Sequence, residues 1–157
     1  MILGVHHLAI STPDLDRFVD HYQRWFGFEP CGGGGWDMGN ERVDQMVGLS
    51  RSAARYEMIR LGNLYIEVFQ YLSPEAAPVR PRMCDYGITH LCLYSNDVFA
   101  DFERLSALGM RFNCPPGGSA ATRATYGFDC DGNVVELLQI VDEESRFNFA
   151  RATVAPS

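Results

Sequence analysis

Two histidines and two glutamates occur at matching points of two similar stretches of the chain. His7 begins the phrase His-Leu-Ala-Ile, and His90 begins His-Leu-Cys-Leu in the second half. Glu67 lies in Ile-Glu-Val-Phe-Gln, and Glu136 lies in Val-Glu-Leu-Leu-Gln. Imidazole nitrogens and carboxylate oxygens are common ligands of divalent transition metals. Two of each at equivalent points of an internal repeat predict a metal site near the pseudo-twofold axis that relates the two copies.

The alternation of side chains along a strand indicates which way these residues point. His7 shares a face with Ala9, and His90 shares a face with Cys92, whereas their aliphatic neighbours lie on the face that a helix would cover. Glu136 lies between aliphatic residues, where an ionised carboxylate is costly unless it is paired or binds a cation. We therefore expect both histidines on the uncovered faces of their sheets.

The other two histidines are interpreted as structural. The position equivalent to His6 in the second copy is Thr89, and alternation puts His6 on the helix-packed face. His21 lies in the first predicted helix and has no carboxylate or histidine partner four residues away. Neither histidine is expected to bind a metal.

The repeat divides the chain into two modules, each predicted to contain a strand, a helix and then three strands, which makes the fold class α+β. Module one spans 1–73, a Pro-rich linker spans 74–83, module two spans 84–141, and a tail spans 142–157, all within one domain. Module one is predicted to have strands at 5–11, 55–61 and 64–72, a helix from 12–14 to about 25, and a short helix within 40–49. Module two is predicted to have strands at 87–95, 110–113, 121–129 and 133–141 and a helix at 97–108.

Two further segments have weaker patterns. The four glycines at 32–35 are predicted to open a flexible loop, which is either a simple connection or a lid over the site. The tail from residue 142 is predicted to form a short helix followed by a frayed end.

Composition limits the possible partners. The chain has 157 residues, 13 Lys plus Arg against 20 Asp plus Glu, a formal net charge of −7 and 46% hydrophobic residues. This acidic balance, without a cluster of basic residues, argues against nucleic acid or an anionic membrane as a partner. No apolar run reaches the ~18 residues that span a bilayer, and the N-terminus lacks the pattern of a signal peptide. We therefore expect a cytoplasmic protein that binds a small-molecule substrate and forms a homodimer.

The five cysteines do not indicate a thiolate metal site. They are an odd number, and no two of them form a Cys-x-x-Cys pair, the short spacing from which structural zinc sites draw ligands. We expect all five to be reduced thiols.

Four segments together resemble a known family. GVHHLAISTPDLDR, RLGNLYIEVFQYLSP, GITHLCLYSNDV and FDCDGNVVELLQI are similar to the signature strands of the vicinal oxygen chelate superfamily, over about residues 3–141. This superfamily includes glyoxalase I, methylmalonyl-CoA epimerase, extradiol dioxygenases and fosfomycin-resistance proteins. The resemblance implies paired βαβββ modules that form an open cup around a divalent metal. It carries the ligand roles onto His7, Glu67, His90 and Glu136.

The sequence resembles some branches of the superfamily more closely than others. The positions where glyoxalase I holds glutathione are Ser11 and Tyr71 here, which lack a guanidinium fork or a side-chain amide. The hairpin sequence is closer to methylmalonyl-CoA epimerases, and the loop ERVDQMVGLSRSAARYEM is more similar still to cyclitol (valiolone-type) epimerases. No basic cluster suits a coenzyme A diphosphate. Glu57 is near the position of an extra catalytic carboxylate, but the hairpin register pairs Met58 with Glu67 and turns Glu57 away.

The predicted ligands imply a type of reaction. Two nitrogen and two oxygen ligands suit one Zn, Ni, Co, Mn or Fe(II) ion and leave two octahedral positions open for adjacent substrate oxygens. Such a metal stabilises an enolate or enediolate while a base removes a proton from carbon. The resemblance suggests that a ligand carboxylate detaches to act as the base, which makes Glu67 and Glu136 the catalytic candidates. We therefore favour an epimerase or isomerase.

Three alternative functions remain open. A glyoxalase-like lyase would need a thiol cosubstrate, and Ser11 and Tyr71 disfavour one. An iron-dependent ring-cleaving dioxygenase is disfavoured because the second glutamate fills a position that oxygen chemistry needs. A non-enzymatic, antibiotic-sequestering binding protein is the third alternative, although such proteins typically lack part of the ligand set.

Seven residues are candidates for substrate binding. Four aromatic side chains are expected to line the cup beside the ligands, and Arg60 falls on the face of Tyr65 and could hold an anionic group. Two more candidates lie on the strand before Glu136. The full set is Arg60, Tyr65, Phe69, Tyr71, Tyr94, Arg123 and Tyr126. Whether one chain or a dimer builds the complete site stays open at this point.

Overall fold

Each half of the protein forms a unit in which a strand and then a helix are followed by the remaining strands of one sheet. The computed structural model describes residues 1–79 and 82–149. The two units are Met1–Val79 and Arg80–Ser157, and they divide within the predicted linker 74–83.

The first unit contains four strands and two helices. They are β1 (His7–Ser11), α1 (Leu15–Phe26), β2 (Glu29–Trp36), α2 (Glu41–Val47), β3 (Ala53–Leu61) and β4 (Leu64–Ser73). The strands lie in the order β1-β4-β3-β2, with β1 parallel to β4 and the other neighbours antiparallel. The predicted hairpin and short helix are therefore confirmed.

The second unit repeats this plan. Its elements are β5 (Leu91–Tyr94), α3 (Val98–Ala107), β6 (Arg111–Phe112), β7 (Gly117–Gly118), β8 (Thr122–Phe128) and β9 (Val134–Ile140). The order β5-β9-β8-β6 matches the first sheet, and β7 pairs with β8 as a second short edge strand. The α+β class and the two βαβββ modules are confirmed, although β5 begins four residues later than predicted.

Helix α1 covers one face of the first sheet. Its buried residues Phe18 and Tyr22 lie against the sheet face that carries Ile59, Ile66 and Val68, all fully buried. The helix begins after Asp14, whose side chain accepts a hydrogen bond from the Arg17 amide at 3.1 Å. Because side chains alternate, the residues between the buried ones on β4 lie on the opposite face, away from the helix.

The glutamine that ends each repeated phrase ties a helix to its sheet. In the first unit, Gln70 Oε1 accepts from the Leu15 amide at 3.2 Å, and Gln70 Nε2 donates to the Pro13 carbonyl at 2.8 Å. In the second unit, Gln139 Oε1 accepts from the Val98 amide at 3.4 Å, and Gln139 Nε2 donates to the Asn96 carbonyl at 2.6 Å. The same side chain therefore satisfies an orphan amide at the start of both helices.

The glycines at 32–35 belong to β2, so the prediction of a flexible loop or lid was wrong. They pair with Met58, Glu57, Tyr56 and Arg55 of β3. A Cβ on Gly33 would lie 2.2 Å from the Tyr56 carbonyl oxygen and 2.5 Å from a Glu57 carboxylate oxygen, so only glycine fits. The register shifts just before Gly32, and the Gly32 amide donates to Glu57 Oε1 at 2.8 Å instead of to the ladder.

The structure describes the chain beyond β9 only in part. Residues 142–148 form turns, and Phe149 is helical. Residues 150–157 lie outside the described residues, so the predicted short helix and frayed end stay a prediction. Across the ranges that the structure describes, no helix is long and apolar enough to cross a membrane.

Candidate metal centre

In the first unit, one predicted ligand pair is in direct contact. His7 Nε2 lies 3.1 Å from Glu67 Oε2 on the sheet face opposite α1. The parallel pairing of β1 with β4 sets Ala9 beside Glu67, and His7 precedes Ala9 by two residues on the same face. The side chains of His7 and Glu67 are 36% and 21% exposed, so solvent or a ligand can reach both.

The second unit contains the same arrangement. His90 Nε2 lies 3.1 Å from Glu136 Oε2, and the side chains are 28% and 13% exposed. Here β5 pairs with β9 so that Cys92 is the neighbour of Glu136, and His90 again precedes that neighbour by two residues. The register and the distance are therefore the same in both copies of the repeat.

The geometry of each pair fits two adjacent ligands of one metal ion. Atoms bound at about 2.1 Å and at right angles to each other around an ion are about 3.0 Å apart. The observed 3.1 Å between Nε2 and Oε2 in each pair agrees with that separation. Among the residues that the structure describes, no three or more His, Cys, Asp or Glu side chains lie close enough together to hold a metal ion.

The second ring nitrogen of each predicted ligand contacts the residue before it. The Nδ1 atoms of His6 and His7 are 2.9 Å apart, and Thr89 Oγ1 is 2.9 Å from His90 Nδ1. His6 is exposed and its ring stacks on Tyr65 at 5.7 Å between centroids, so its predicted place on the helix-packed face was wrong. Residue 6 precedes β1, and strand alternation does not hold there. His21 contacts the Arg17 carbonyl through Nδ1, consistent with a structural role.

Glu136 has polar neighbours on both adjacent strands. Tyr126 lies directly across from it on β8, and Cys92 lies beside it on β5. Burial, together with a hydrogen bond to Glu136 and its charge, raises the pKa of the Tyr126 phenol. Burial, the charge of Glu136 and a hydrogen bond to it raise the pKa of the Cys92 thiol to about 12. Both groups therefore stay protonated and donate to this carboxylate. The Tyr126 ring also lies edge-on to His90, at 5.5 Å.

Glu67 has apolar neighbours at the equivalent positions. Met58 lies across from it on β3, as predicted from the hairpin register, and Ala9 lies beside it on β1. Tyr71 is further along the same strand, and burial followed by the charge of Glu67 raises the pKa of its phenol. Glu57 lies on the opposite face, as expected.

Aromatic rings extend the Glu67 face toward β2. Phe69 and Tyr71 both lie where predicted, and Trp36 lies 6.0 Å from each of them between ring centroids. Tyr56 is 5.6 Å from Phe69. Trp36 could not be identified from the sequence because β2 was not predicted. Tyr56 was also not among the candidates, although the predicted hairpin register places it opposite Phe69. Trp36 is held in place by a hydrogen bond from Nε1 to Ser52 Oγ at 2.9 Å.

Arg60 and Tyr65 lie together at one end of this face. They are directly paired across β3 and β4, and the guanidinium carbon lies 5.4 Å from the Tyr65 ring centroid. Arg60 Nε donates to the Gly62 carbonyl at 3.1 Å. Both candidates are therefore on the same sheet face as His7 and Glu67.

The other two candidates of the second unit have different surroundings. Tyr94 shares the face of His90, is exposed, and stacks its ring on Phe149 at 5.3 Å between centroids. Arg123 pairs with Gln139 on the helix side of the sheet, and its guanidinium lies over Phe99 of α3 at 5.4 Å. The prediction that Arg123 lines the site was therefore wrong: Tyr126 faces the ligands, and a residue three positions away on a strand faces the other side.

Comparison with known proteins identifies the family. A model of the glyoxalase/bleomycin resistance protein/dioxygenase superfamily matches residues 4–137. The chain belongs to this superfamily. Among its relatives is a 2-epi-5-epi-valiolone epimerase from an Actinomyces species, 33% identical over 146 residues, which cover 88% of this chain and 80% of the relative. The predicted similarity to the epimerase branch of the superfamily is thereby confirmed.

Solved structures of the superfamily share the fold. A glyoxalase family protein from Bacillus cereus aligns with a TM-score of 0.80 at 16% identity, covering 90% of this chain and 96% of that protein. A fosfomycin resistance protein from Listeria monocytogenes, solved with Mn(II) and sulfate, aligns with a TM-score of 0.59 at 21% identity, covering 88% and 93% of the two chains.

Proposed function

We propose that the protein is a metal-dependent epimerase whose metal ligands are His7, Glu67, His90 and Glu136. The observation that supports this most directly is the repetition of one His–Glu pair, at 3.1 Å and in the same strand register, in both units. A coincidence of residue type, register and distance at two places is poorly explained by two unrelated surface ion pairs. A Zn, Ni, Co, Mn or Fe(II) ion suits this mixed donor set.

The two carboxylates are proposed to move the proton. When bound, the metal supplies Lewis acidity that stabilises negative charge on substrate oxygens. Glu67 takes the proton from the carbon next to the carbonyl on one face, and Glu136 returns a proton on the other, or the reverse. A base in the correct position contributes about 10²- to 10⁴-fold to the rate. Inversion at that carbon follows when the proton leaves one face and returns on the other.

The surroundings of the ligands suggest the kind of substrate. Trp36, Tyr56, Phe69 and Tyr71 offer apolar ring surface beside Glu67, which suits a small carbon skeleton. Arg60 and Tyr65 add a polar end to the same face. The name of the Actinomyces relative makes 2-epi-5-epi-valiolone the first substrate to test.

Isotope exchange tests this proposal. The protein is stripped of metal, reloaded separately with Zn, Mn, Co, Ni or Fe(II), and incubated with 2-epi-5-epi-valiolone in D₂O. We expect metal-dependent incorporation of deuterium at the carbon next to the carbonyl, together with inversion at that carbon, followed by NMR. Lack of exchange with this ketone and with other substrates bearing two adjacent oxygens, at every metal, would contradict an epimerase. Tight binding of such a compound without exchange would instead indicate a binding protein, and consumption only with an added thiol would indicate a lyase.

Metal content tests the ligand assignment separately. His7→Ala and His90→Ala are each expected to lower the metal content of the reloaded protein to a small fraction of the unmodified protein's, measured by elemental analysis after gel filtration. His21→Ala is the matched control, because His21 is a part-buried histidine of α1 that contacts the Arg17 carbonyl. Full metal content in both ligand variants would rule out the site.

A further inference from the structure

The residue before each predicted histidine ligand makes an equivalent contact. His6 approaches Nδ1 of His7 at 2.9 Å, and Thr89 approaches Nδ1 of His90 at 2.9 Å. In both cases the other ring nitrogen, Nε2, faces a glutamate oxygen at 3.1 Å. The two preceding residues are chemically unrelated, yet they occupy the same position relative to the ligand.

This contact decides which nitrogen of the ring can bind a metal. A neutral imidazole carries its proton on one nitrogen and a lone pair on the other. Ligation through Nε2 therefore needs the proton on Nδ1 and a partner there that accepts it. Such partners fix the orientation of a ligand ring, and losing one typically costs about 10- to 100-fold in metal affinity.

Both partners can form a hydrogen bond with Nδ1 whether or not a cation is bound at Nε2. A threonine hydroxyl and a neutral imidazole are each able to donate or accept a hydrogen bond. With a cation on Nε2, His6 and Thr89 accept from Nδ1–H. Without one, Nε2–H donates to the glutamate, and the same two residues donate to Nδ1. The stacking of His6 on Tyr65, with an interplanar angle of 11°, keeps its ring in place for this exchange.

We propose that His6 and Thr89 are positioning residues that hold Nδ1 of His7 and His90 and direct Nε2 toward the metal. The inference rests on the proposed metal site and extends it to two residues that sequence reasoning did not consider as part of it. His6 and Thr89 do not bind the metal themselves.

Zinc affinity of matched variants tests this inference without any substrate. Thr89→Val and His6→Leu remove the partner of Nδ1, and each is expected to raise the dissociation constant for Zn²⁺ about 10- to 100-fold in competition with a chelator. Thr89→Ser keeps a hydroxyl and His6→Thr introduces one at the equivalent position, and each is expected to stay within about threefold of the unmodified protein. His6→Thr copies the arrangement that the second unit already uses.

The outcomes separate the possible failures. Unchanged zinc affinity in Thr89→Val and His6→Leu would overturn the positioning role. Affinity as weak in His6→Thr as in His6→Leu would also overturn it for His6, because stacking on Tyr65 rather than the Nδ1 contact would then be what matters. Unchanged affinity in His7→Ala and His90→Ala would instead remove the proposed metal site, and this inference with it. In the zinc-loaded protein, ¹⁵N NMR is expected to show protonated Nδ1 in both histidines.

Discussion

Glu67 and Glu136 occupy equivalent places in the two units but have different neighbours. Each lies 3.1 Å from a histidine, and each pairs with the residue two positions after that histidine. Tyr126 and Cys92 donate hydrogen bonds to Glu136, whereas Met58 and Ala9 occupy the corresponding positions around Glu67. The repeated frame therefore sets where each carboxylate lies, and its neighbours determine how firmly it is held. In the proposed mechanism, Glu67 is therefore the carboxylate that we expect to leave the metal more readily and accept a proton.

Glutamine substitution at each carboxylate should have the largest effect. We expect Glu67→Gln and Glu136→Gln each to lower epimerisation about 10²- to 10⁴-fold, because each removes one of two bases. Starting from each epimer in D₂O, the variant that keeps the base facing that epimer should still exchange the proton without inverting the carbon. The measurement is deuterium incorporation and stereochemistry by NMR.

Two outcomes would break this expectation. Equal loss of exchange from both epimers in one variant, with little effect of the other, would mean that a single carboxylate does all the proton transfer. Near-normal turnover in both variants would exclude the two glutamates as bases. Glu57→Gln is the matched control, because Glu57 lies on the opposite face and contacts the Gly32 amide.

The alkylation rate of the Cys92 thiol depends on its contact with Glu136 and can be used to test that contact. Its pKa of about 12, against an ordinary value of 9.0, leaves about 1,000-fold less thiolate at pH 8 than an unperturbed thiol has. Alkylation of Cys92 in the metal-free protein should therefore be at least about 100-fold slower than that of Cys31 or Cys114, although all three residues are exposed. Peptide mass spectrometry after timed alkylation measures this ratio.

Glu136→Gln sharpens the same measurement. It removes the charge that disfavours the thiolate, so Cys92 should react faster in this variant than in the unmodified protein, while burial keeps it slower than Cys31. Glu67→Gln should change the rate at Cys92 less, because Glu136 is the carboxylate that contacts this thiol. Cys92 alkylating as fast as Cys31 in the unmodified protein would contradict its close contact with Glu136.

Removing one donor to Glu136 should have an intermediate effect. Tyr126→Phe deletes the hydroxyl that orients this carboxylate, and we expect the metal dissociation constant to rise about tenfold. Tyr71→Phe is the matched control, because Tyr71 senses the charge of Glu67 rather than sharing a hydrogen bond with it. Chelator competition measures both constants. Equal losses in the two variants would mean that the two carboxylates are held alike.

The helix anchors that the two units share should give the smallest effects, and these should be similar in size. Gln70→Ala and Gln139→Ala each remove two hydrogen bonds at the start of a helix, and each is expected to lower the free energy of unfolding by about 1–2 kcal/mol. The value for Gln70 should be the larger, because it also accepts from Arg55 Nε at 2.9 Å. Urea denaturation measures both changes, with Gln23→Ala on the exposed side of α1 as the control. A loss at only one of the two positions would contradict a common helix anchor.

Much of the arrangement was predictable because the repeat supplied every position twice. The pairing of Met58 with Glu67 followed from counting back through the tight turn after Leu61, and strand alternation placed His7 and His90 correctly. Strand β2 was not predictable in this way, because a run of glycines has no side-chain alternation to read. Trp36, the last residue of this strand, was therefore not identified as a candidate.

Two further errors have simple physical causes. His6 precedes the first strand, so alternation assigned it a face that it does not have. Arg123 was predicted to line the site because it lies on the strand before Glu136. It is three residues from Tyr126, however, so strand alternation places it on the helix side of the sheet. The hydrogen bonds of Tyr126 and Cys92 to Glu136 depend on cross-strand register in the second sheet, for which the sequence offered no hairpin turn as tight as that of the first.

The parallel pairing of β1 with β4 also has a kinetic consequence. The pairing of His7 with the strand of Glu67 joins the two ends of the first unit, with the helices, the edge strand and β3 between them in sequence. Contacts so distant in sequence form slowly and late. The same holds for β5 and β9. A metal that needs both members of a pair would therefore bind the completed sheets and not the unfolded chain, so that occupancy stabilises the fold by mass action.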